Sequence, residues 1–198
     1  MAPLFPSVSY DDHAAYLAVQ ICLSGPDSEY ATIRQLYFEL IVSAKTQVLI
    51  QSLFFILDET LAEALKLKAL SAIDVQVLIS PNGPGQFLPC WAANTYALDA
   101  ARGGVKVHHS KSEYLHAETV CADGEISSIG SANWDIWSFS LNYELTAVIY
   151  DQDVSHQLVA AFQADLANCV AFDTADYQSR GRLLRFRDSL ARLASPLL

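Results

Sequence analysis

Basic side chains are scarce in this sequence, and long apolar runs are missing. Twelve Lys and Arg stand against 22 Asp and Glu, a formal net charge of −10. Five of the seven arginines, Arg180, Arg182, Arg185, Arg187 and Arg192, fall in residues 180–198, where Asp188 is the only acid. That tail therefore carries +4, while residues 1–179, with 7 basic and 21 acidic groups, carry −14. An acidic body repels free nucleic acid, which is not expected as a partner. No apolar run approaches the roughly 20 residues of a membrane-spanning helix. The opening MAPLFPSVSYDDHAAY lacks a basic stretch followed by an apolar one, so no signal peptide is expected. Cys22, Cys90, Cys121 and Cys169 are scattered without a CxxC pair, which argues against a zinc site or a disulfide framework and for a reducing, cytosol-facing compartment. Charged residues make up only 17% and hydrophobic ones 52%, which excludes a disordered chain.

What is present reads as alternating elements. Ala18–Leu23 suits a strand ending in the turn Gly25-Pro26-Asp27, and Ser28–Ala44 an amphipathic helix with Ile33, Leu36, Leu40 and Ile41 on one face. Gln47–Phe55 has the apolar character of a strand buried on both faces. Asp58 can cap a helix to about Leu70, with a strand at Asp74–Ser80, a helix at Phe87–Arg102 and a strand at Val105–His108. Tyr114–Ala122 and Glu125–Ile129 around Asp123-Gly124 form a hairpin signal. A loop at Gly130–Phe139, a strand at Leu141–Tyr150 and a helix at Val154–Asn168 follow. The expected fold is α/β, with a mixed, mainly parallel sheet flanked by helices on both faces. The expected organisation is a catalytic domain at 1–179 and a basic amphipathic tail at 180–198. In that tail Leu183, Leu184, Phe186, Leu190 and Leu193 can share a helix face, suited either to a membrane surface or to docking on the domain.

The chemistry concentrates in one stretch, His116-Ala117-Glu118, Asp123 after four residues, then Gly130-Ser131-Ala132-Asn133 after six, followed by Asn142-Tyr143-Glu144. Alternation along a strand would point His116 and Glu118 to one face. Ser131 and Asn133 sit in a small-residue loop where hydroxyl, amide and backbone N–H can converge on an anion. Glu144 can orient an imidazole from behind. These types at these spacings suit phosphoryl or acyl transfer through a covalent intermediate.

The pattern resembles the phospholipase D signature HxK(x)4D(x)6GSxN at every fixed position but the lysine. The flanking words are similar to the C-terminal half of bacterial cardiolipin synthases: SGPDS at Ser24–Ser28, FFILDETLAEAL at Phe54–Leu65, HAETVCADGEISSIGSANWD from His116, LNYEL at Leu141–Leu145, and the RLLRF and LARLASPLL words of the tail. The resemblance runs from about Val19 to Leu198. It implies two such motifs, one from each half or each subunit, around one phosphodiester, with one histidine attacking phosphorus and the other protonating the leaving alcohol. His116 is then nucleophile or general acid, Ser131 and Asn133 hold the phosphate, Glu144 orients the histidine, and Asp123 is largely structural. No metal or other cofactor is required. The implied reaction moves a phosphatidyl group between phosphatidylglycerol molecules, releasing glycerol, at the cytoplasmic face of a bacterial inner membrane. The first motif is absent from this sequence, so a second half or a homodimer partner is expected to supply it.

Glu118 stands where the lysine belongs. A cation about 4 Å from a phosphate oxygen stabilises it by roughly 4 kcal/mol at an effective dielectric near 20, so an anion there implies a swing of about 8 kcal/mol. Each 1.36 kcal/mol is about tenfold in rate, so impaired turnover is expected unless the glutamate is held protonated. Leu53-Phe54-Phe55 and Leu57-Asp58 also depart from the family's usual Pro-Tyr-Phe and Pro-Asp, and the arginine usual near Trp137 is missing. Other readings remain open: a silent module that binds phospholipid or a partner enzyme, a nuclease-like phosphodiesterase homodimer, and a metal site of His116, Glu118 and Asp123. The Trp134 and Trp137 pair can line a lipid groove or pack within a loop. His108-His109 is expected to end a strand beside the pocket, and Cys121 to belong to the core.

Overall fold

The computed structural model describes residues 17–80, 87–111 and 115–195. The opening segment read for a signal peptide and Tyr114, expected to begin the hairpin, lie outside the described residues. In chain order the elements are β1 (Val19–Ser24), α1 (Thr32–Ser43), β2 (Gln47–Ser52), α2 (Glu59–Leu70), β3 (Asp74–Ile79), α3 (Phe87–Arg102), β4 (Lys106–Ser110), β5 (Thr119–Ala122), β6 (Ile126–Gly130), α4 (Ile136–Ser140), β7 (Glu144–Ile149), α5 (Gln152–Leu166), β8 (Cys169–Ala171), α6 (Thr174–Ser179) and α7 (Arg182–Ala194).

The eight strands form one mixed sheet in the order β1-β7-β6-β5-β2-β3-β4-β8. Period-two alternation builds a core on each side of it. Val48, Ile50, Val75, Val77, Ile79, Val120 and Ala122 face Ile33, Tyr37, Ile41, Leu61, Leu65 and Ala97 of α1, α2 and α3. Leu49, Leu78 and Cys121 point the other way, onto Phe162 of α5. Helices on both faces, the doubly buried β2 and a strand at β3 agree with expectation. Asp58 caps α2 as expected, accepting from Leu61 N at 3.1 Å.

The expectation of a mainly parallel sheet is corrected. Only β2/β3 and β3/β4 pair parallel, and the other five pairings are antiparallel. The reason is connectivity. A parallel pair needs a crossover long enough to return the chain, and only α2 and α3 supply one between neighbouring strands. The hairpin β5/β6 turns on Asp123 (φ 56°) and Gly124 (φ 67°), the left-handed pair that a tight two-residue turn requires. It inserts antiparallel beside β2, while β1 and β8 close the two edges against β7 and β4. The expected loop Gly130–Phe139 contains the short helix α4, capped by Asp135, which accepts from Ser138 N at 2.7 Å.

Candidate active site

The C-terminal end of β2, the segment entering β5, the end of β6 and the start of β7 meet at one end of the sheet. Thr119 pairs with Gln51 and Ile129 with Thr119, which brings Glu118 beside Ser52 and Leu53. Gly130 N donates to the Glu118 carbonyl at 3.1 Å, tying the loop after β6 to the histidine-bearing segment. Trp134 then anchors the loop to β2: its N–H donates to Ser52 Oγ at 3.1 Å and its carbonyl accepts from Ile56 N at 2.8 Å. The Trp134 ring is fully buried and stacks on Tyr37 at 5.1 Å, so it packs the core and lines no groove.

Strand pairing starts at Thr119, so His116 and Glu118 stand in the segment that feeds β5 and not in the strand itself. His116 is exposed and Glu118 buried, with 5% of its surface accessible. Ser131 and Glu144 are brought together. The Ser131 hydroxyl donates to Glu144 Oε2 in a short hydrogen bond and accepts from Leu145 N at 3.1 Å, while Ser131 N donates to the Leu145 carbonyl at 2.9 Å. Both Ser131 donors are thus engaged by β7. Asn133 follows two residues on, its Oδ1 buried without a hydrogen-bond partner.

Asp123 is not part of this cluster. It lies at the other end of β5, where its carboxylate accepts from the N–H groups of Lys45, Thr46 and Gln47 and from the Thr46 hydroxyl at 2.8–3.1 Å. Burial raises its pKa, but the donors from Gln47, Thr46 and Lys45 outweigh it and hold the carboxyl below its ordinary range. Its work is to fasten the hairpin turn to the start of β2. His108 and His109 both lie within β4; the His109 ring packs on Phe172 at 5.4 Å, and burial, with Arg180 beside it, pushes its pKa down to about 4. Cys121 is buried with its Sγ near the Ser155 carbonyl, and burial pushes the thiol pKa up, as suits a core residue.

The electrostatics of Glu118 are the unusual feature. Oε1 accepts from Leu53 N at 3.0 Å, and Oε2 is buried with no hydrogen-bond partner. Burial, first, and the neighbouring Asp135 and Glu144 push its pKa up to about 8, against the smaller downward pull of the Ser52 hydroxyl and the Leu53 N–H. The side chain is therefore a neutral acid at neutral pH. About half of the roughly 8 kcal/mol swing expected for an anion disappears, because a cation has been lost without an anion being gained. Asp135, also buried, has its pKa raised by burial. Asp135, Ser52 and Tyr37 complete the polar surroundings. Sequence alone did not single them out, because their roles depend on proximity across four elements. Tyr37, pushed up to about 12 by burial, lies beside the Thr146 and Ser128 hydroxyls without reaching hydrogen-bonding geometry.

Comparison with known proteins adds the following. The family model described as "Cardiolipin synthase, PLD-like domain" matches residues 37–166. The chain is 40% identical over 182 residues to the major cardiolipin synthase ClsA of Bacillus subtilis, covering 92% of this chain and 38% of that protein. It is 38% identical over 198 residues to a cardiolipin synthase of Staphylococcus aureus, covering 96% of this chain and 40% of that one. The chain thus spans about two fifths of the length of these relatives. Among solved structures, the phosphatidylserine synthase of Haemophilus influenzae superposes with a TM-score of 0.73 at 13% identity, over 92% of this chain and 48% of that one. The phospholipase D family member Nuc of Salmonella typhimurium gives 0.67 at 21% identity, over 79% of this chain and 99% of that one. These two likenesses speak to the fold.

Proposed function

Because this chain belongs to the cardiolipin synthase, PLD-like domain family, whose model covers residues 37–166, we propose that it is one half of a phosphatidyltransferase site that joins phosphatidylglycerol molecules into cardiolipin. In this reading a ring nitrogen of His116 attacks phosphorus of one phosphatidylglycerol. The P–O bond to the glycerol headgroup breaks, and a histidine of the second motif protonates the departing glycerol. A hydroxyl of the second phosphatidylglycerol then attacks the phosphohistidine, giving its proton back to that second histidine. His116 and the second histidine can exchange these roles, with His116 as the general acid. Asn133 holds the phosphate. Ser131 joins it only by releasing Glu144, so Glu144 acts first through Ser131 as a positioning residue.

The observation that carries the proposal is the joining of the histidine segment to the Gly-Ser-x-Asn loop through the Gly130 N–Glu118 carbonyl bond, with the loop locked to Glu144. A second observation favours an assembled site. Ile21, Leu23, Ile129 and Leu145 are 57%, 62%, 41% and 48% exposed on adjacent strands β1, β7 and β6. Leu23 and Leu145 continue into a groove lined by Ser131 and Glu144. An exposed apolar sheet face beside half a site suits a second motif-bearing half or a second copy of the chain. The place of action is then peripheral, on the cytoplasmic side of the inner membrane. No described helix is long and apolar enough to cross a membrane.

Glu118 in place of the signature lysine favours a second reading, a catalytically silent module that binds phospholipid or a partner enzyme. The nuclease-like homodimer is weaker, since the −14 body repels nucleic acid. Product formation from labelled phosphatidylglycerol in vesicles separates the readings. Turnover by the parent that His116→Ala abolishes supports the transferase. Activity restricted to Glu118→Lys marks a silenced scaffold, and inactivity of the parent and both variants, with a copy of the first-motif half added, rejects the transferase reading.

A further inference from the structure

Helix α7 is mounted with its apolar side outward. At about 100° per residue, Leu183, Phe186, Leu190 and Leu193 fall within about 80° of one another. They are 85%, 67%, 56% and 79% exposed. The opposite side, carrying Asp188 and Ala191, is buried against α3. There the Arg187 guanidinium lies over Trp91 at 4.3 Å and that of Arg192 over Tyr96 at 4.4 Å. Asp188, fully buried, pairs with Arg187 at 2.7 Å and Arg180 at 3.5 Å and accepts from Asn94 Nδ2 and the Tyr177 hydroxyl. Rolling the helix to bury its leucines would strip these partners from a buried carboxylate, a change far costlier than leaving the leucines wet. The outward stripe is therefore fixed by the charge network beneath it.

Beside the stripe runs a groove between α3, α6 and α7. Arg102, Arg185 and Arg192 line it, and so does Leu193 of the stripe itself. Asp99 answers Arg192, whereas Arg185 is half-buried, its Nε buried without a hydrogen-bond partner. Arg182 is exposed at the start of the helix. An apolar stripe continuous with a cationic groove, on a body of opposite charge, has the chemistry of a surface that meets anionic lipid: the side chains enter the headgroup–acyl boundary while guanidinium groups meet phosphates. A second copy of the chain fits poorly, because a two-fold contact would set this arginine rim against itself.

We propose that the outward face of α7, with the arginine-lined groove beside it, docks the protein on an anionic lipid bilayer. The acidic body is repelled by the same surface, so the charge asymmetry sets the orientation, with α7 toward the lipid. The choice of phosphatidylglycerol as the lipid rests on the function proposed above; the docking surface itself does not.

Flotation with vesicles of phosphatidylcholine and phosphatidylglycerol in equal amounts, against phosphatidylcholine alone, tests this. The parent should float with the mixed vesicles, should not float with phosphatidylcholine alone, and should be released by salt. Phe186→Ser with Leu190→Ser, at two exposed positions, should weaken partition by about tenfold or more, since two large apolar groups no longer leave water. Arg182→Gln with Arg185→Gln should remove part of the salt dependence. His116→Ala should bind as the parent does, so a parent that floats with the mixed vesicles without turning over their lipid counts only against the transferase chemistry. The docking proposal is overturned if the double-serine variant floats like the parent. It is equally overturned if the parent ignores vesicles while turning over detergent-dispersed phosphatidylglycerol, or if it forms a Phe186-dependent dimer without binding lipid.

Discussion

Replacing Glu118 by Gln removes one titrating proton and leaves the shape of the side chain almost unchanged. The amide oxygen can still accept from Leu53 N, so the packing of the site is retained. In the folded protein the Glu118 carboxyl titrates near 8, against 4.5 ordinarily. A folded pKa above the unfolded one means that the native state keeps a proton the unfolded chain gives up. Stability from the neutral carboxyl is then fully present below about 4.5 and lost progressively as pH rises through about 8, at up to about 1.4 kcal/mol per pH unit. Between pH 5 and pH 8 the upper limit is about 4 kcal/mol, and coupling to the nearby Asp135 makes the observed difference smaller. The assay is urea unfolding followed by tryptophan fluorescence, with Trp134 buried beside the site as reporter. Parent and Glu118→Gln should be close in stability at pH 5, and the variant should be the more stable at pH 8. His109, which titrates in both proteins, cancels in the comparison. Parallel curves for the two proteins across this range would refute the neutral carboxyl.

Gly130→Ala should damage fold and site together. A Cβ there would stand 2.6 Å from the Leu145 carbonyl and closer still to Thr146 Oγ1, so β6 and β7 must part where Ser131 meets Glu144. A loss of about 1–3 kcal/mol in the unfolding midpoint is expected, and an unchanged midpoint would show that the strands separate freely. Asp123→Ala strands three backbone N–H groups and puts alanine at a φ of 56°, so about 2 kcal/mol should be lost in urea unfolding. Phosphate binding by the surviving folded protein should be unaffected, because the site lies at the other end of β5.

Much of this protein is determined by local rules that any reader of the chain can apply. A continuous apolar run marked β2 as doubly buried, Asp58 marked the start of α2, and Asp123-Gly124 marked a two-residue turn, because each depends on neighbours a few residues away. The spacing from His116 to Asn133 announced the family for the same reason, since a hairpin of fixed length carries one group a fixed distance from the other. Strand order was not legible. Local pattern shows that a strand exists, but the direction of its neighbour depends on where distant segments return, and so four pairings besides the expected hairpin came out antiparallel. The charge of Glu118 was not legible either. A carboxyl's pKa is set by burial and by groups from other elements, here Ser52, Leu53, Asp135 and Glu144, which only the folded chain brings together. The tail carries the same lesson: the helical wheel of residues 182–194 shows an apolar face but not its direction. Tertiary structure turned that face outward, because Asp188 had to be buried among Arg180, Arg187, Asn94 and Tyr177, and a buried charge left without partners is worse than leucines left in water.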